Sequence, residues 1–170
     1  MRALLILASI AALAGCGQRE ELSTKTDSQS PTKAPASEWT LQVTSAGATL
    51  GHSSPTVSGP VSDLTLSCVR GGQFEVLAEQ LPPVESEERL SLGAGGDAFA
   101  LVASAAIDAE PPFVKAVGPI DETLLRLLET GMPISASYGA TPIGPFAAPD
   151  QDRLRLFLTA CRILAKEGQG

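Results

Sequence analysis

VSDLTLSCV, Val61 to Val69, decides the fold class. Successive side chains of an extended chain point to opposite faces. Leu64, Leu66 and Cys68 therefore share one face, while Asp63, Thr65 and Ser67 share the other. This is the pattern of a strand with one buried side, and it turns Cys68 inward. Arg70-Gly71-Gly72-Gln73 comes next, and a Gly pair between two such runs signals a hairpin. Phe74 to Leu77 (FEVL) is the expected return strand, with Phe74 and Val76 in register, and Pro82-Pro83 ends the unit.

Upstream, Trp39 to Val43 (WTLQV) alternates as a strand does. Ser45-Ala46-Gly47 is a turn, Ala48 to His52 a short return strand, and Ser53 to Pro60 (SSPTVSGP) a loop by composition. Downstream, Glu85 to Arg89 (ESEER) reads as a charged connection, Leu90-Ser91-Leu92 as a brief strand and Gly93 to Gly96 as a turn. Phe99 to Ala106 (FALVASAA) is an apolar run whose length and flanking glycines favour a buried strand, with helix as the alternative. Pro111-Pro112 blocks a helix there, and Phe113 to Val117 (FVKAV) reads as a further strand.

The period then changes. Asp121 to Thr130 (DETLLRLLET) carries a capping Asp121, acidic Glu122 at the positive end of the helix dipole, and Gly131 and Pro133 as stops. Ile134 to Tyr138 (ISASY) returns to alternation, and Gly139 to Pro149 reads as a loop with three prolines. A second helix is expected from its cap at Asp150 to about Lys166. Leu154, Phe157, Leu158, Cys161 and Leu164 follow the i, i+3, i+4, i+7 spacing of one buried face. Cys161 thus faces inward, as Cys68 does. The expected class is α+β: mainly antiparallel β, sandwich-like, with a short helix and a C-terminal helix tied by a disulfide.

The N-terminus carries an address. One positive charge, Arg2, precedes the apolar run Ala3 to Ala14. Twelve residues fall short of the roughly 20 that a spanning helix needs, and the pattern is that of an export signal. The run closes on Leu13-Ala14-Gly15-Cys16. These four residues resemble the lipobox of bacterial lipoproteins. The resemblance implies residues 1–15 as signal peptide, cleavage before Cys16, a diacylglycerol on its sulfur and commonly a further acyl chain on its amine. Several acyl chains hold a protein on a membrane where one does so only marginally. Gly17 rather than Asp follows Cys16, which by the same resemblance implies the outer membrane, facing the periplasm. Residues 16–37 then form a lipidated Cys and a polar tether too poor in apolar groups to fold. Residues 38–170 form a single globular domain of ordinary size.

The formal charge is −7, and from Cys16 onward 11 basic residues face 19 acidic ones, a net −8. That balance argues against nucleic acid as a partner. With Cys16 committed to lipid, Cys68 and Cys161 remain as an even pair in an oxidising compartment, so a disulfide is expected; two free thiols or one reactive Cys are the alternatives.

His52 is the single His, expected in a surface loop; the alternative is a base for Ser53 or Ser54 in a small envelope hydrolase. No G-x-S-x-G elbow, CxxC or HxxxH occurs. Glu85, Glu87 and Glu88 read as a solvated run rather than a cation site. Gly93 to Gly96 lacks the Lys-Ser/Thr of a phosphate loop. No catalytic residue, cofactor or metal is assigned. Trp39 and Tyr138 are expected in packing rather than on a partner. The Leu124–Leu128 cluster is expected to be buried on two sides, with an exposed patch for a partner as the alternative.

Taken together, the L-x-L-x-C strand with its hairpin (Leu64 to Phe74), the small helix LLRLLETG before a strand, and the closing PFAAPDQDRLRLFLTAC resemble exported bacterial domains of the invasion-associated locus B type and periplasmic accessory proteins of type VI secretion. The resemblance spans about 100 residues. It implies a β-sandwich with a disulfide from an early strand to the C-terminal helix. The function expected from sequence is a lipid-anchored cell-envelope protein, non-enzymatic, that meets a protein or envelope polymer. An inhibitor or chaperone-like partner protein is a further alternative.

Overall fold

The structure is a computed structural model that describes residues 38–84 and 87–168. The signal peptide, the lipobox with Cys16, the tether and Glu85 lie outside the described residues. The elements run β1 (Glu38–Val43), β2 (Gly47–Thr56), β3 (Gly59–Val69), β4 (Gln73–Ala78), β5 (Arg89–Ala94), β6 (Asp97–Ala106), β7 (Phe113–Pro119), α1 (Glu122–Glu129), β8 (Ile134–Tyr138), β9 (Thr141–Phe146) and α2 (Gln151–Glu167). The class is α+β, mainly antiparallel β with two helices, as the alternation and the change of period indicate.

All nine strands belong to one sheet, in the order β1-β2-β3-β4-β7-β6-β5-β8-β9. The sheet curls at β6. The first half of that strand, Asp97 to Val102, pairs with β5, and the second half, Val102 to Ala106, pairs with β7. One strand thus serves two neighbours over different stretches. The corner also corrects the reading of Phe99 to Ala106 as a buried strand. Only Leu101 is buried along it, and Val102 is 67% exposed. At the corner Leu101 lies over Gly118, where an added Cβ would stand 2.7 Å from its Cδ2.

Two expected loops are strands instead. Ser53 to Thr56 continues β2, and Gly59-Pro60 opens β3, leaving Val57-Ser58 as the turn. Pro55 and Pro60 stand directly opposite each other. Neither has an N–H, so their shared position is one at which the ladder exchanges no bond. Within Gly139 to Pro149, Thr141 to Phe146 forms β9 at the sheet edge. An edge strand tolerates Pro142 and Pro145 because its outer side has no ladder to serve.

The side chains of one sheet face and both helices form a single core. Asp121 caps α1 by accepting from the Thr123 amide at 2.6 Å, and Gly131 ends the helix region at φ +66°. Leu124, Leu125, Leu127 and Leu128 are all buried. α2 buries Leu154, Phe157, Leu158, Cys161 and Leu164, the expected stripe. Phe157 meets Phe74 of β4 edge-on, with centroids 6.5 Å apart. Cys68 on β3 and Cys161 on α2 form a disulfide between residues 93 apart in sequence, with Cα atoms 5.3 Å apart. Among the described residues no helix is long and apolar enough to cross a membrane.

Candidate functional site

The polar side chains that the core takes in are His52 and Asp63, each 3% exposed. Their burial comes from a break in the β2–β3 register. His52 stands opposite Leu64 and Ser53 opposite Ser62, which leaves Asp63 as an extra residue on β3. Such a two-against-one bulge disrupts the ladder and re-aims side chains, and here Asp63 and Leu64 are both buried. This corrects two expectations. Asp63 is not on the solvent face of its strand, and His52 is not in a surface loop but on the inner face of β2, in line with Ala48 and Leu50.

Asp63 is then saturated with donors. Its Oδ2 accepts from His52 Nδ1 and from Ser54 Oγ, both at 2.7 Å, and its Oδ1 accepts from Gln80 Nε2. A carboxylate is an acceptor only, so the imidazole hydrogen sits on Nδ1. Buried polar groups left unpaired are expensive, and among the described residues no buried side-chain nitrogen or oxygen is left without a partner.

Aromatic rings enclose the imidazole. Trp39 of β1 meets it edge-on at 5.0 Å, and Phe146 of β9 packs on it at 4.2 Å and 31°. Trp39 Nε1 donates to the carbonyl of Ala147 at 2.6 Å, and Arg153 of α2 donates to the Trp39 carbonyl. β1 and β9 are the two ends of the nine-strand order and share no ladder. Side chains join them at this seam, with His52 between them. Tyr138 is buried as well; its hydroxyl lies 2.7 Å from the carbonyls of both Val84 and Glu87. Trp39 and Tyr138 thus serve packing.

The geometry bears on chemistry directly. A serine nucleophile needs its O–H aimed at an imidazole nitrogen. Ser54 aims its O–H at Asp63 instead. The cluster is built as a clamp: one carboxylate gathers three donors from β2 and the segment after β4. Among the described residues no three His, Cys, Asp or Glu side chains are grouped to hold a metal ion. Glu87 accepts from the backbone of Arg89, and Gly95 and Gly96 form a turn at positive φ.

A second polar junction lies on the outside, between the helices. Arg162 of α2 reaches Glu122 at 3.0 Å and Glu129 at 2.8 Å on α1. The Arg162 hydrogen bond holds the Glu122 carboxyl below its usual range, and the two glutamates raise the guanidinium further. These groups are half exposed and water screens them.

Cys68 and Cys161 meet as expected; Asp63, Gln80 and Phe146 were not foreseen as partners of His52. Only the partner strand reveals a bulge, so β3 read alone gives no sign of it. The chain was compared with protein-family models, curated proteins and solved structures, and none matched.

Proposed function

We propose that this chain is a lipid-anchored cell-envelope protein whose globular domain is a binding or accessory module. The observation that carries the reading is the Cys68–Cys161 bond. Disulfides persist in oxidising compartments and are rare in the cytosol. An export signal that ends on a lipobox leads into such a compartment, so two independent features of the chain agree. By the lipobox resemblance the anchor is Cys16, and Gly17 after it supports an outer-membrane location facing the periplasm.

The non-enzymatic part of the proposal is supported by Ser54, whose O–H goes to Asp63 and not to the imidazole. The inhibitor or chaperone alternative loses its proposed surface, because the leucines of α1 are inside the fold. The partner class that remains is an envelope protein or polymer, and the resemblance to exported accessory domains points the same way.

Cross-linking in intact cells, followed by identification of what is joined to this chain, is the test. A reproducible envelope partner or polymer is the expected result. A hydrolytic activity of the purified chain that His52→Ala abolishes would overturn the proposal.

A further inference from the structure

α2 carries two stripes: one is buried in the core, and of the other only Ala160 packs against it. Arg153, Leu156, Ala160, Ile163 and Glu167 recur at the alternating three- and four-residue spacing of heptad a and d positions. At 100° per residue they lie on the flank of the helix beside β1. Arg153 reaches the Trp39 carbonyl from that flank. Ala160, Ile163 and Glu167 line a groove of about 310 Å³ with Val43 at the end of β1. The apolar members are open: Leu156 is 61% exposed, Ile163 55% and Val43 57%. Arg162, by contrast, is tied to α1 on the other flank.

The order of residues along the stripe identifies its occupant. It reads cation, apolar, small, apolar, anion, and Ala160 is its midpoint. Turned about a two-fold axis at Ala160, the stripe matches itself. Leu156 would meet Ile163 of the other copy, Arg153, which within its own chain also pairs with Asp150 at 3.2 Å, would meet Glu167, and the small Ala160 residues would let the helices approach. A self-complementary patch is what an isologous dimer requires.

The adjoining strand edge is also open. Thr44 N donates to the Gly47 carbonyl across the hairpin end. By the alternation of an antiparallel ladder, the N–H and C=O groups of Leu41 and Val43 then point away from β2. No described residue bonds them.

We infer that two copies of this chain pair through α2, antiparallel, with the crossing at Ala160. The inference goes beyond the proposed function and does not depend on it. Sedimentation equilibrium of the full chain in density-matched detergent reads it directly. A dimer is expected. Leu156→Lys with Ile163→Lys should weaken it at least ~100-fold, since both copies lose their apolar contact. Arg153→Glu and Glu167→Arg should each weaken it about tenfold alone, and an equimolar mixture of those two variants should restore it, because every crossed pair is then of opposite sign. Circular dichroism melts confirm that each variant is folded; the Lys variants leave the Arg153 contacts untouched. A monomer at all concentrations, a dimer indifferent to the Lys substitutions, no restoration in the mixture, or a monomer that takes a different protein on this face would overturn the inference.

Discussion

Asp63 holds three donors, of which His52 is buried, and the seam between β1 and β9 packs around the imidazole it fixes. Replacing it with Ala leaves the buried His52 Nδ1 without its acceptor and takes one from the half-buried Ser54, while the exposed Gln80 can turn to water. Leaving a buried donor unsatisfied costs about 1–3 kcal/mol. Urea unfolding of Asp63→Ala at neutral pH checks this, and Ser54→Ala, which removes one donor, should lose only about 1 kcal/mol. Asp121 is a second residue with a defined task. Its hydrogen bonds with Thr123 hold its carboxyl below the ordinary value. A carboxyl depressed on folding stabilises the protein above its unfolded pKa and loses that contribution as pH falls through the folded one. The α1 cap should therefore weaken on acidification below about pH 4. Asp121→Ala should cost about 1 kcal/mol at neutral pH and show a smaller loss of stability on acidification than the parent chain.

At the scale of elements, α1 and α2 pack by opposite rules. α1 has all four leucines inside, so Leu124→Ala should lose roughly 3 kcal/mol through the cavity it leaves. Leu156→Ala on the open flank of α2 should change monomer stability by no more than about 0.5 kcal/mol. Thermal melts of the two variants side by side separate the cases. Most of this was legible in sequence, because a helix face and a half-buried strand each have a fixed period: the Leu64-Leu66-Cys68 face, the α2 stripe and the cap at Asp121 all follow from spacing. Where tertiary context overrides local composition, the reading failed. SSPTVSGP looks like a loop because its prolines and serines suit turns, yet opposed prolines fit a hairpin arm. β9 is a strand only because an edge asks little of Pro142 and Pro145. The bulge at Asp63 depends on how two strands meet, so the candidate site was half legible: His52 and its serines stood out, and the carboxylate that binds them did not.

The whole domain is held by one curled sheet, two helices and a covalent tie. Closing a loop of about 90 residues contributes on the order of 4–5 kcal/mol in the chain-entropy treatment, and Cys68 and Cys161 lie 93 apart. Reduction should lower the urea midpoint accordingly. The same bond and the proposed anchor make one claim about the molecule: it is exported, trimmed and oxidised. Intact mass spectrometry of the chain purified from bacterial envelopes tests that claim most directly. The expected chain begins at Cys16, carries a diacylglyceryl group with or without a further acyl chain, and weighs two hydrogens less than its reduced form. A chain that still begins at Met1, without lipid and with Cys68 and Cys161 as free thiols, would contradict it.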